Sequence, residues 1–240
     1  MISLIINELI NIFGRKKTKI FLLLEFILVF ICYYFYINSP SMMHVEKHNF
    51  VNYILESSIV GFVVICASII FTNDIIVGEF SQGTIRQILI RPKSRFEILL
   101  AKIITIIILV IVQYLILLVP SLIIGHFIFN VVNFSSIITN FINDGFVGIV
   151  VSVSLTIMIG VITCSTAISV AIPIGLYCFG QMLSYTSVFH LIYKYYVYYY
   201  VDYPLRYTGQ SMKFISFVVF SYFIIFTIIS FIVFQCREIK

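Results

Sequence analysis

Two histidines four residues apart, His44 and His48, stand either side of a carboxylate, Glu46. On a helix that spacing puts both imidazoles on one face, as a divalent metal requires. A zinc site needs a third convincing ligand, and none accompanies them, so no metal is expected. His126 and His190 stand alone. The five cysteines, Cys32, Cys66, Cys164, Cys178 and Cys236, sit singly in apolar runs or by a terminus. That is neither a ligand set nor a disulfide framework. Nucleotide chemistry is also missing. A G-x-x-x-x-G-K-[ST] loop is absent, and no glycine precedes a lysine anywhere in the chain. With no H-E-x-x-H, no G-x-S-x-G and no paired acidic motif, the chain is not expected to be an enzyme, nor to bind a cofactor itself.

Two carboxylates remain in apolar surroundings, Glu25 and Glu56. A charge at the centre of a bilayer costs about 2.5–3.5 kcal/mol on insertion scales, so such groups face protein or water. Glu25 is therefore a candidate for a polar site in a bundle or along a substrate path. The equal alternative is a carboxylate satisfied by hydroxyls near the headgroups. Glu56 is expected to reach the outer interface.

The bilayer enters through composition. Of 240 residues, 61% are hydrophobic and only 10% charged, and the mean hydropathy is +1.11. A soluble globule of this length cannot cover its surface with so few charges. Heavy use of Ile, Asn, Lys and Phe suggests an AT-rich bacterial genome, and the expected location is the bacterial plasma membrane. The net charge of +5 is topological and signals no nucleic acid.

Apolar runs of about 20 residues can cross a bilayer. Six are expected, at roughly 18–38, 52–73, 98–120, 146–164, 166–186 and 212–235, the fourth and fifth forming a hairpin about a tight Ser165-Thr166 turn. Pro120 is expected to end or bend the third, and Pro173 to kink the fifth. Eleven of the fifteen Lys and Arg then fall on one side, which the positive-inside rule makes cytoplasmic together with both termini. The expected fold is all-α and integral to the membrane, a single transmembrane domain over 1–240 with an N-terminal amphipathic helix and six spans.

Local patterns refine this plan. In residues 1–14, Ser3, Asn7, Asn11 and Gly14 fall three or four apart, opposite a wide apolar face, which suits a helix lying in the interface. Gly148, Ser152, Thr156, Gly160 and Cys164 recur every four residues, a small-residue stripe suited to close helix crossing or, alternatively, to lining a conduit. Eight of the sixteen tyrosines lie between Tyr193 and Tyr207, so 184–210 is expected in the outer interface. The most polar long stretch, 73–97, is expected to be a cytoplasmic loop with a short helix near 80–90. Phe80, Ile85, Ile88 and Leu89 would give that helix an apolar patch. Ser94 and Glu97 then read as a capping box at the start of the third span.

The run Gly78-Glu79-Phe80-Ser81-Gln82-Gly83-Thr84-Ile85-Arg86, followed by Arg91-Pro92, Ser94-Arg95 and Ala101-Lys102, resembles the segment after the second span of type-2 ATP-binding-cassette (ABC) exporter permeases. The likeness extends to small six-span subunits of bacitracin-resistance or bacteriocin-immunity type. It implies that Glu79, Phe80, Gly83, Thr84, Arg86, Arg91, Ser94, Arg95 and Glu97 couple the spans to a partner. The implied partners are two cytoplasmic ATPase subunits, which hold the ATP and Mg, and a second permease subunit, identical or homologous. Glu25, Ser152, Thr156 and Gly160 are the candidates for a substrate path or a polar site in the bundle. The exported substrate would be hydrophobic or amphipathic, such as a peptide antibiotic, bacteriocin or drug. Two other classes stay open: a non-transporting immunity or scaffold protein, and an intramembrane enzyme. An adjacently encoded or co-purifying soluble ATPase separates them.

Overall fold

Arg15 is the only residue between the first two helices, α1 (Ile2–Gly14) and α2 (Lys16–Asn38), and its amide still bonds to the carbonyl of Ile12 at 3.0 Å. The other helices of the computed structural model are α3 (Ser58–Ser81), α4 (Arg95–Phe129), α5 (Val147–Thr163), α6 (Thr166–Leu183) and α7 (Met212–Cys236). The structure describes residues 2–38, 54, 58–81, 95–129, 147–183, 195, 196, 198 and 212–236.

The protein is all-α and multi-pass, a plasma-membrane protein, but the six-span plan is wrong. Among the described residues, four helices are long and apolar enough to cross a membrane, over Lys16–Asn38, Ile59–Glu79, Phe96–Phe127 and Phe217–Cys236. The runs expected to be the fourth and fifth spans are helices of 17 and 18 residues. At 1.5 Å per residue they reach about 26–27 Å, short of a hydrocarbon core of about 30 Å. They do form the expected tight hairpin, but of helices too short to count as spans. Cys164 and Ser165 join them, with Cys164 in the left-handed region at φ 50° and its amide bonded to the carbonyl of Gly160. With four such helices among the described residues, the structure conflicts with the six-span plan of the ABC exporter permeases the chain resembles.

A second difference is where α3 ends. A span ending near residue 73 was the expectation, yet the helix runs on through Asn73, Asp74 and Glu79 to Ser81. Each of those polar side chains finds a partner on another part of the fold, so the helix needs no loop to release them to water. Residues 80 and 81 thus belong to α3, while the remainder of the helix expected near 80–90 lies outside the described residues. Neither proline ends its helix: α4 passes Pro120 to Phe129, and α6 passes Pro173 to Leu183.

The helices are unequally covered. α5 packs chiefly on α7 and α3, α6 packs on α3 and α5, and α1 and α2 pack on α4. Nearly every described side chain of α5 is buried, as expected of a helix apolar all round. α2 instead leaves Leu23, Phe26, Phe30 and Phe35 exposed, and α7 leaves Phe217, Phe220 and Ile228 exposed. Those two helices present the lipid-facing sides of the bundle.

Candidate functional site

One end of the bundle gathers charge around Lys102. α1 turns Glu8 and Ile12, one helical turn apart, toward α4, and Ile12 is buried there at 2% exposure. α3 turns Ile75 and Glu79, also four apart, toward the same point. Lys102 lies on the facing stripe of α4 with Ile106 and Leu109 and is itself 2% exposed. Its ammonium lies 2.8 Å from Glu8 Oε1 and 2.8 Å from Glu79 Oε2, and donates to the carbonyl of Ile75 at 3.0 Å. Two of these contacts are hydrogen bonds, to Glu8 and to the Ile75 carbonyl, and the third is an ion pair with Glu79.

Beside it, the Arg15 guanidinium donates to the carbonyl of Asp74 at 3.0 Å and stands 3.8 Å from Asp74 Oδ2. Two cations and three carboxylates meet at this end, tying α1 and its junction with α2 to α3 and α4. Asn73 of α3 is hydrogen-bonded to Ser169 of α6. The α5–α6 hairpin therefore anchors its turn to the same end of α3. Gly160 reinforces that contact, because a Cβ there would collide with Val77 Cγ2.

A second polar pair lies deeper. Gln113 Nε2 of α4 donates to Glu25 Oε1 of α2 at 2.8 Å, and both residues are fully buried. Glu25 Oε2 and Gln113 Oε1 have no hydrogen-bond partner.

The expected site residues are placed as follows. Glu79 belongs to the Lys102 cluster. Glu97 lies exposed in the first turn of α4, which begins at Arg95, one residue after Ser94. Phe80 and Arg95 stand in helices, with side chains outside the described residues. Gly83, Thr84, Arg86, Arg91 and Ser94 lie outside the described residues, as do His44, His48 and Glu56. Ser152 and Thr156 are buried and donate to the carbonyls of Ile149 and Ser152 of their own helix. Glu25 and Gly160 contact different helices, so these four candidates do not converge on one site.

Of the tyrosine-rich segment, Tyr195, Tyr196 and Tyr198 are described. Tyr196 donates to the carbonyl of Leu176, and its ring lies where a Cβ on Gly180 would stand. The Tyr195 carbonyl accepts from Tyr222 of α7 at 2.6 Å. Tyr198 packs edge-on to Tyr177 with ring centroids 5.6 Å apart, and burial pushes its phenol above the ordinary value. Among the described residues, no group of three His, Cys, Asp or Glu is placed to hold a metal ion.

Residues 5–240 match the family described as protein of unknown function, DUF2705. The chain belongs to that family. This corrects the resemblance to the type-2 ABC exporter permeases: nearly the whole chain matches DUF2705, and the four apolar spans conflict with a six-span permease. A search of curated proteins finds no match. The residues that most clearly organise this DUF2705 chain, Glu8, Arg15, Asp74, Lys102 and Gln113, were absent from the site expected from sequence. A signal existed for two of them. Glu8 is the only charge within α1, and Lys102 is a lone cation just inside a long apolar run.

Proposed function

We propose that this multi-spanning membrane protein is the permease subunit of an ATP-driven exporter, moving a hydrophobic or amphipathic substrate while separate cytoplasmic subunits hydrolyse the ATP. The observation that carries this reading is the Lys102 cluster. The polar segment 82–94, rich in Arg and Lys, leaves α3 two residues beyond Glu79 and enters α4 seven residues before Lys102. A partner docked on that segment would pull on two helix ends joined by an ion pair, and α1 is joined to them by the same ammonium. A buried pair of that kind moves its helices together better than independent loops would. The absence of a nucleotide-binding loop requires the energy to come from another chain.

The test is purification of the full chain from its native membrane under mild detergent, with co-purifying proteins identified by mass spectrometry and ATP hydrolysis measured. The expected result is a soluble ATPase subunit at stoichiometric yield, with no nucleotide binding by the isolated chain in calorimetry. Co-purification without any ATPase would favour a scaffold or immunity role and overturn the reading.

A further inference from the structure

The Glu25–Gln113 pair is left incomplete in an informative way. One hydrogen bond runs from the amide to the carboxyl, and the two oxygens left over, Glu25 Oε2 and Gln113 Oε1, are both acceptors without a donor. Two adjacent residues with bare acceptors in a fully buried place carry a large desolvation cost. Reversing the amide would not help, since the other amide edge would then offer its oxygen to a carboxylate. What is missing is one donor.

Charged neighbours do not supply it. Among the described residues, no Lys or Arg makes an ion pair with Glu25. Lys102, the nearest cation along α4, is eleven residues from Gln113, about 16 Å away, and is held by Glu8 and Glu79. On α2, Lys16, Lys17 and Lys19 precede Glu25 by six residues or more. The other titratable groups on the elements packed against α2 are Glu8 of α1, Cys66, Asp74 and Glu79 of α3, and Arg95, Glu97, Tyr114 and His126 of α4, Arg95 being eighteen residues from Gln113; α2 itself adds Cys32, Tyr33, Tyr34 and Tyr36. None of these is a cation placed to neutralise a carboxylate at this depth.

We propose that Glu25 and Gln113 form a proton-binding site between α2 and α4, with Glu25 carrying the proton on Oε2. The proton comes from water as the helices insert and stays on the carboxyl, so the pair is neutral. It makes Oε2 a donor to Gln113 Oε1, and the acid and amide then close a ring of two hydrogen bonds. The site is independent of the proposed transport function and of the Lys102 cluster. It gives α2, largely exposed to lipid, a specific polar hold on α4 without a buried charge.

Infrared difference spectroscopy tests this on the full chain in phosphatidylcholine vesicles at neutral pH, with choline as the only added cation. Wild type minus Glu25→Gln is expected to show the carbonyl stretch of a protonated carboxyl, lost in the variant and shifted in heavy water. The stretches of an ionised carboxylate in that difference spectrum would overturn the proposal. So would a protonated band converted to the ionised form by sodium chloride but not by choline chloride, because the site would then select a metal cation. Should Glu25→Gln fail to insert, Gln113→Leu replaces it. The carbonyl band is then expected to move to higher frequency as the amide donor is lost, and an unmoved or absent band overturns the proposal.

Discussion

Of the buried polar side chains of α4, Thr105 and Ser121 donate to carbonyls of their own helix, whereas Lys102 near its start and Gln113 three turns further in share a face and reach other helices, and their surroundings differ in kind. Lys102 is surrounded by full charges: it donates to the Glu8 carboxylate and to a backbone carbonyl, is ion-paired with Glu79, and a neighbouring Arg15–Asp74 pair extends the network. Among the described residues, Gln113 meets a single acid and no cation. The comparison separates two ways of placing polarity in an apolar bundle. Where water is one helical turn away, ions are held by counter-ions drawn from several helices. Deeper in, where an uncompensated charge costs several kcal/mol, the pair is small and, on the proposal above, neutral.

The largest effect is expected from removing the cation. Lys102→Met leaves Glu8 and Glu79 facing each other without their shared partner. Removing one member of a buried ionic group typically costs about 3–5 kcal/mol. The full chain in detergent is expected to unfold at a clearly lower temperature, with α1 becoming sensitive to protease. Adding Glu8→Gln and Glu79→Gln to Lys102→Met should restore much of the loss. If the single variant melts like wild type, the cluster is not what fastens α1.

Why this cluster was hidden from sequence reading is plain from the separations involved. Glu8 and Lys102 are 94 residues apart, and Glu25 and Gln113 are 88 apart. Periodicity reports which residues share a face of one helix, and it was enough for the all-α membrane class, the α1 helix and most helix limits. It cannot report which helix that face meets. The same blindness misplaced the end of α3: Asn73, Asp74 and Glu79 look like a loop until Ser169, Arg15 and Lys102 are brought to them. The span count failed for a different reason. Residues 146–186 are apolar enough to be two spans and the turn between them was legible, but the helices on either side of it are only 17 and 18 residues long, and hydropathy does not report where a helix stops.

The deeper pair is expected to give a middle-sized effect with a distinctive pattern. Glu25→Leu strands the Gln113 amide, and Gln113→Leu strands the Glu25 carboxyl; each should cost about 1–3 kcal/mol, the penalty for an unsatisfied buried group. Glu25→Leu with Gln113→Leu removes both polar groups and should be closer to wild type than either single change. Thermal unfolding of the four proteins in one detergent gives the coupling energy. Interhelical hydrogen bonds in membranes average about 0.6 kcal/mol and reach about 1.7, so a coupling well above that would mean Glu25 is ionised and would break the contrast with Lys102.

The smallest expected effect belongs to Arg15, at the open side of the charged end. Its side chain is 39% exposed and that of Asp74 is 23% exposed, against 3% for Lys102. The 3.8 Å separation from Asp74 Oδ2 is long for a charge-assisted hydrogen bond, and the close contact between the two residues is to the Asp74 carbonyl at 3.0 Å. Water and salt screen such a pair, and exposed pairs contribute about 0–1 kcal/mol. Arg15→Ala should therefore shift the unfolding temperature slightly, and the shift should shrink as sodium chloride is raised across a Debye length comparable with the pair's spacing. The Lys102→Met loss should persist at the same salt, because its partners are shielded by protein. Equal salt sensitivity of the two variants would mean that water reaches Lys102 as readily as Arg15, and the distinction between an enclosed and an open ion pair at this end of the bundle would fall.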